Sequence, residues 1–394
     1  MLPVTWYAAL AIDASNVIVG LSRVTGGGRA ELVATRAVEM AGVRDGVVVD
    51  ASMARAGLAQ ALSWARTTAG VPITTVCLLV PDAHLLTCPA SGVVSWPRAT
   101  RVNRGTIALA RRRALAQLLP QGTIVAAAVE RLVVDGRTME RLPVGKRARS
   151  LRVDCTAWLV PHRRVEGYRE ALEPLGVDVG LLLPQTLAEA YASVDQTDRM
   201  LGVTFVAIAP ASTVVVTLGQ DVVLDIGILP VGEDAVIDAM AADLAITVPE
   251  ARAVYADLLR GGQVSARRMM AGAEAGVVAA YADLFVAVRQ YLAERRLLPY
   301  LTAGTVLTGR ARYLPAVVRE AGQQLDLPVR TARPPAFLPQ SGARTVALAG
   351  LTMAAADVLG GGVARDSQSD RSSEAERTRL GGWLRVFVPS GGMA

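Results

Sequence analysis

Residues 201–232 read LGVTFVAIAPASTVVVTLGQDVVLDIGILPVG. Val203, Phe205, Val206 and Ile208 make one apolar run, 214–218 a second and 222–229 a third. Short runs rich in β-branched residues, broken by Gly, Gln and Asp, are the signal for strands. The breaks are Ala207 to Val214, AIAPASTV, and the turn Leu218-Gly219-Gln220-Asp221. The third run leads through Pro230-Val231-Gly232 into a helical pattern. A hairpin followed by a strand that enters a helix is the frame on which the rest of the chain can be laid out.

The chain has 394 residues, enough for two or three domains and a large core. No apolar run approaches the roughly 18 uninterrupted residues of a spanning helix. The start, MLPVTWYAALAIDAS, lacks a basic segment and runs straight into a strand, so no signal peptide is expected. Cys77, Cys88 and Cys155 form an odd, sparse set without C-x-x-C spacing, which predicts reduced thiols in a cytoplasmic protein. With only two histidines, His84 and His162, a histidine metal site or a Ser-His-Asp triad is not expected, and no metal site is predicted. The net charge of +6 is nearly all arginine. The sole lysine, Lys146, sits in VGKRARS and not in G-x-x-x-x-G-K-[ST], so there is no P-loop. Arginines cluster at 111–113 and 137–152. Aromatics are 4% of the chain and do not interleave with these clusters, so stacking on single-stranded nucleic acid is not predicted.

Upstream of the central hairpin, residues 6–12 read as a strand ending in Asp13-Ala14-Ser15-Asn16, and 17–22 as its antiparallel partner. Gly26-Gly27-Gly28 turns the chain into a third strand at 30–38. GVRDGVVVD at 42–50 follows. Then Ala54, Leu58, Ala61, Leu62 and Ala65 recur at helical spacing, and 72–81 is a buried strand. Residues 85–160 read as strand, helix, strands. The helix at 106–119 is amphipathic and arginine-rich, and the strands at 123–134 and 151–160 are expected to form a half-exposed sheet. Trp96 and Trp158 read as packing residues. Residues 234–298 are nearly all helical. The stretch 345–359 is an Ala/Leu/Val helix. GGGVARDSQSDRSSE at 360–374 is a linker.

These stretches, in this order, resemble the bacterial cell-division protein FtsA. The resemblance is carried by GVRDGVVVDASMARAGLAQALSWARTTAGVPITTVCLLVP, by VVDGRTMERLPVGKRARSLRVDCTAWLV and by ALEPLGVDVGLLLPQTLAEAYASV. It continues through ILPVGEDAVIDAMAADLAITVPEAR and VLTGRARYLPAVVREAGQQLDLPVRTARP, and runs from about residue 5 to 357. It implies an α/β, actin-like (ribonuclease-H-like) two-domain ATPase fold with an FtsA-type inserted subdomain. The expected domains are a first core at 1–84, the insertion at 85–160 and the return of the first core at 161–198. A second core at 199–233 follows, then an outer helical subdomain at 234–300, the return of the second core at 301–344 and a closing helix at 345–359. The linker, 360–375, and a terminal tail, 376–394, complete the chain. PilM, an actin-like protein of type IV pilus assembly, has a similar insertion. The GVRDGVVVD and RLPVG stretches and the tail favour FtsA over it.

The resemblance also implies a nucleotide site, in which two hairpin loops rich in Asp, Gly and Thr hold phosphates and Mg²⁺. Here Asp13 is kept, while Ser15 and Asn16 stand where Gly-Thr is expected. In the second loop Ala207 replaces an Asp, Ala209-Pro210-Ala211 replace glycines, and Val214 replaces a second Asp. Ser212 and Thr213 keep hydroxyls. Pro210 has no N–H to donate. Gly232 is kept but Glu233 replaces a glycine, and Gly309 is kept but Arg310 replaces the next one. Three readings are open: a decayed site, with Asp13 only capping a turn; a site that holds ATP and Mg²⁺ without turnover, with Arg310 bonding phosphate; and a working ATPase. Loss of both acidic positions in the second loop argues against turnover. The expectation is therefore no cofactor, or ATP/Mg²⁺ bound without hydrolysis, and no catalytic residues.

In FtsA the outer subdomain binds the C-terminal peptide of FtsZ and is a mix of helix and small sheet; Arg252, Arg295 and Arg296 are the candidates for meeting an acidic peptide here. In the tail, Leu380, Trp383, Leu384 and Phe387 fall at i, i+3, i+4 and i+7, with Arg385 among the nearby cations. This is the pattern of an in-plane amphipathic membrane anchor, weakened by Gly381-Gly382. The resemblance thus implies a filament-forming scaffold on the inner face of the membrane at the division site. Its partners would be FtsZ, itself, anionic lipid and other divisome proteins, with no nucleic acid.

Overall fold

The structure, a computed structural model, describes residues 4–25, 30–260, 267–333 and 343–359. The turn expected at Gly26-Gly27-Gly28, the linker and the whole tail, with Leu380, Trp383, Leu384, Arg385 and Phe387, lie outside the described residues. Contacts divide the chain into two units, 1–193 with 334–394, and 194–333.

The first unit opens with an antiparallel meander, β1 (Thr5–Ile12), β2 (Asn16–Val24) and β3 (Ala30–Glu39). A small hairpin of β4 (Val43–Arg44) and β5 (Val47–Val48) follows. Asp45 and Gly46 both take positive φ at its tip, 49° and 65°, the conformation a two-residue hairpin turn requires. Asp50 then caps α1 (Ala51–Ala69), its carboxylate accepting from the amides of Ser52 and Met53. β6 (Thr75–Val80) returns parallel to β1.

The insertion is β7 (Leu86–Arg101), α2 (Arg104–Ala116), β8 (Gly122–Val134), β9 (Arg137–Met139) and β10 (Arg147–Pro161). Its sheet runs β7-β10-β8-β9, with α2 packed on it through Ile107, Ala110, Ala114 and Leu115. The helix expected at 106–119 is shorter at its C-terminal end. Past Ala116 the amides of Gln117 and Leu118 bond three residues back and the chain turns, yet Leu118 stays in the buried cluster. The half-exposed sheet expected from 123–134 and 151–160 is more buried than that at β10. This strand is central, α2 and α3 both pack on it, and Val153 to Val160 are all buried. Trp158 is fully buried and Trp96 packs partly buried against the subdomain core.

α3 (His162–Leu172), β11 (Asp178–Pro184) and α4 (Gln185–Ser193) return to the first core. β11 pairs parallel with β6, which completes a sheet in the order β11-β6-β1-β2-β3. α10 (Ala343–Leu359) closes on this sheet and on α4. The hydroxyls of Thr352 and Ser22 meet at 2.7 Å, and Tyr7 donates to the Thr352 carbonyl. Gly350 lies so close to α4 that a Cβ there would stand 1.7 Å from the Ala188 carbonyl oxygen.

The second unit begins with α5 (Gln196–Leu201) and holds β12 (Val203–Ile208), β13 (Thr213–Gly219) and β14 (Val222–Leu229) as a second antiparallel meander. These are the three apolar runs of residues 201–232. α6 (Glu233–Asp243), α7 (Val248–Leu259) and α8 (Arg267–Glu294) follow, then β15 (Thr305–Gly309), α9 (Pro315–Leu325) and β16 (Val329–Thr331). The sheet order is β14-β13-β12-β15-β16, with β12, β15 and β16 parallel. Three antiparallel strands followed by two parallel ones, in the same order as in the first unit, make the two sheets repeats of one topology. Between residues 234 and 300 the described residues form helices and no strand. Among the described residues one helix, residues 272–294 of α8, is long and apolar enough to cross a membrane; it buries Tyr281, Phe285, Val288 and Leu292 within its unit.

Candidate nucleotide site

The loop after β1 is a tight turn in the first unit. The Asp13 amide donates to the Asn16 carbonyl at 2.8 Å, and the Met40 amide to the Ser15 carbonyl at 3.0 Å. Asp13 accepts from the Ala14 amide at 2.7 Å, a bond that caps the turn. It has a second partner that the sequence did not reveal, an ion pair with Arg344 at the start of α10. The hydrogen bond from Arg344 holds the Asp13 carboxyl below the usual carboxylate range. The hydroxyl of Ser15 accepts from the Asn16 side chain at 3.4 Å. The one acidic group kept in this loop is therefore matched to a cation of the same chain.

The second loop joins β12 to β13 in the second unit. Ala207 and Val214 face each other as ordinary ladder partners. The Ala209 amide bonds the Ser212 carbonyl at 2.9 Å, and the Thr213 hydroxyl donates to the Val231 carbonyl at 2.7 Å. A helix N-terminus that meets such a loop usually offers free N–H groups to an anion. In α6 the amides of Glu233 and Asp234 instead donate to the carbonyls of Ala209 and Pro210, at 3.0 and 2.8 Å. The loop lies directly on the start of the helix. A Cβ on Gly232 would stand 2.3 Å from the Ala209 oxygen and 2.6 Å from the Ser212 nitrogen.

Glu233 is 1% exposed. Its carboxylate accepts from the Arg310 amide at 3.2 Å and from the guanidinium Nε at 2.7 Å, and the guanidinium Nη2 lies 2.5 Å away. Arg310 directly follows Gly309, whose φ of 92° brings it against the Ile208 carbonyl. The Arg310 guanidinium also sits 5.6 Å from the ring centroid of Tyr255, a cation–π contact. Behind it the hydroxyls of Tyr255 and Tyr281 meet at 2.6 Å in the core, and burial pushes Tyr255 up to about 12. Arg310, the candidate phosphate donor of the reading in which ATP is held without turnover, is engaged by Glu233.

Taken loop by loop, the residues do not fit Mg²⁺ and a nucleotide. The helix N-terminal amides are used, carbonyl oxygens and a buried carboxylate stand where donors are needed, and two Asp positions carry Ala207 and Val214. Among the described residues no group of three His, Cys, Asp or Glu is placed to hold a metal ion.

The three arginines proposed for an acidic peptide have different surroundings. Arg252 pairs with Asp234 at 3.0 Å and Arg295 with the buried Asp225 at 2.9 Å, where the Tyr291 hydroxyl also bonds. Arg296 ends the helical segment in the left-handed region, with φ of 56° and its amide on the Ala293 carbonyl. Arg344, Tyr255 and Tyr291 are the site residues that sequence reasoning missed. An arginine opening an otherwise apolar helix, as Arg344 does, is the one signal that was available.

Two sheets of one topology, with a four-stranded subdomain inserted in the first unit, define an actin-like fold. The chain is FtsA-like in sequence, similar to curated cell division proteins of that name. It is 23% identical over 345 residues to the cell division protein FtsA of Pseudomonas aeruginosa, covering 82% of each chain. It is 24% identical over 233 residues to FtsA of Streptococcus pneumoniae, covering 59% of this chain and 51% of that one. Among solved structures, the PilM–PilN type IV pilus biogenesis complex matches with a TM-score of 0.55 at 16% identity, covering 89% of this chain and 98% of that one. No protein-family model matches the chain.

Proposed function

We propose that this chain is a cell-division scaffold that tethers FtsZ filaments to the inner face of the cytoplasmic membrane. It self-assembles into actin-like filaments and does not hydrolyse ATP. The similarity to FtsA along 82% of the chain is the observation that carries the reading. The internal pairing of Asp13 with Arg344 and of Glu233 with Arg310 supports a silent nucleotide site. Function then rests on geometry and avidity. The tail, 376–394, would supply the membrane contact through Leu380, Trp383, Leu384 and Phe387, with Arg385 at the headgroups, binding weakly in one copy and firmly when many copies are linked. Of the three candidate arginines Arg296 is the least committed internally, and it leads the contact with the acidic FtsZ peptide, with Arg252 and Arg295 beside it.

The test is co-sedimentation of FtsZ with phosphatidylglycerol vesicles in the presence of this chain, with and without Mg-ATP, against a chain ending at Glu374. Nucleotide-independent pelleting that disappears on truncation supports the tether. Pelleting that requires ATP contradicts the silent site. A second reading, a PilM-like adaptor, is favoured by the fold match to the PilM–PilN complex. It would leave FtsZ in the supernatant and capture a pilus partner's N-terminal peptide instead.

A further inference from the structure

We infer that the far end of the inserted subdomain is a second membrane contact, an electrostatic one for anionic lipid headgroups. The inference rests on the tether reading but stands on different residues. Residues 85–160 hold thirteen arginines and lysines against four carboxylates, Glu130, Asp135, Glu140 and Asp154, whereas the whole chain holds 41 against 35. The insertion is thus more positive than the complete chain, and the remainder is net negative. Three of the four carboxylates are used in the fold. Asp154 takes Arg131, Arg152 and the Ser91 hydroxyl, Asp135 accepts the amides of Arg149 and Ser150, and Glu130 accepts the Thr156 hydroxyl.

The uncompensated cations gather at one end. Arg101 and Arg147 are direct cross-strand partners on β7 and β10. Lys146 and Val102 are tied by a backbone bond of 2.8 Å, and Arg104 opens α2 two residues on. Arg98 and Arg141 complete the set, and all six are exposed. Like charges directly opposite one another on antiparallel strands repel, and among the described residues none of the six has a carboxylate partner. The ammonium of Lys146 meets only the Met139 thioether, at 3.3 Å. Leu142 and Val144 are 44% and 50% exposed in the same loop, and with Arg141, Lys146 and one carboxylate, the exposed Glu140, they line a shallow depression whose cations still outnumber its acid. Clustered cations around a few exposed aliphatic side chains fit an anionic bilayer surface.

The alternative occupant, an acidic peptide, finds no seat here. Strand addition at the β7 edge is closed by Pro89 and Pro97. It is also closed by α2 and its C-cap, since the Gln117 and Arg113 side chains already bond the carbonyls of Ser91 and Val93, at 3.0 and 2.9 Å.

Lys146 is the only ε-amine in the chain, so its acetylation rate reports on this surface alone. The full chain would be labelled with an amine-reactive reagent and Lys146 read by mass spectrometry. The conditions are phosphatidylglycerol vesicles, phosphatidylcholine vesicles, inorganic phosphate and polyglutamate. We expect protection by phosphatidylglycerol vesicles only, weakening as salt is raised. Arg101→Gln with Arg147→Gln removes a repulsion and should leave thermal unfolding unchanged or raised, while vesicle affinity falls about tenfold or more. Vesicle-bound chain with Lys146 labelled at the free rate would overturn the contact and leave the tail anchor standing. Protection by the chain ending at Glu374 would keep the contact and show that the tail is dispensable. Protection by inorganic phosphate alone would mean a small-anion site, and protection by polyglutamate alone a protein partner; both overturn the proposal. Failure of the full chain to bind any vesicle overturns this contact and the tether together.

Discussion

At the scale of single residues, the two ion pairs are not equivalent. Glu233 is 2% exposed at its side chain and Arg310 46%. Removing the arginine side chain leaves a buried carboxylate without its cation, bonded still to the backbone amide of residue 310. Arg310→Ala is expected to cost about 3 kcal/mol in urea unfolding. The double change to Glu233→Gln and Arg310→Gln should cost clearly less, because no buried charge is left behind. Equal losses in the two variants would show that the charge is not what matters. Asp13 and Arg344 are 37% and 40% exposed, so Asp13→Asn should cost only about 1 kcal/mol or less at neutral pH. The sign of its pH dependence is fixed by the direction of the shift. A carboxyl held below its ordinary value of 3.8 stabilises the fold above that pH and loses its effect as the pH falls through the lowered value. The gap between Asp13→Asn and the natural chain, read from unfolding curves across acidic pH, should therefore close on acidification. The replacements at 207, 209–211, 214, 233 and 310 were legible in the sequence. Their pairing was not, because Glu233 and Arg310 are 77 residues apart and Asp13 and Arg344 are 331 apart.

At the scale of elements, the loop at 209–212 and the start of α6 act as one piece. Gly232→Ala would drive a methyl into the carbonyl oxygens of Ala209 and Pro210. A loss of roughly 1–3 kcal/mol is expected, the usual cost of overpacking, with hydrogen exchange rising first at Glu233 and Asp234. No change in exchange there would mean that the loop can lift away from the helix. Strands and helices were largely readable because their periodicity is local. β12, β13 and β14 coincide with the apolar runs of the central stretch, and α1 with the spacing of Ala54, Leu58, Ala61, Leu62 and Ala65. α2 ended before Leu118 because a buried leucine in a turn looks the same, in sequence, as one more helical position. β10 was read as half-exposed because strand alternation does not reveal that two helices pack on the same strand.

At the scale of the molecule, repetition of one sheet topology in both units makes the chain actin-like. Reading it as a scaffold makes the nucleotide dispensable. The fold was legible from the order and spacing of its segments, since each segment is a local signal and the sequence lists them all. What the site has become was only half legible, since absent donors can be read from a sequence while the groups that fill their place cannot. If assembly and membrane binding rest on avidity, substitution of Trp383 by Ala should lower vesicle affinity more for assembled protein than for dilute monomer, measured by flotation across a concentration series. A loss that is the same at every concentration would argue against linked copies. The most direct measurement is a calorimetric titration of Mg-ATP into the full chain. No saturable heat at millimolar nucleotide is the predicted result. Saturable binding that weakens when Asp13 or Arg310 is replaced would contradict it, and would mean that the internal ion pairs open to admit phosphate.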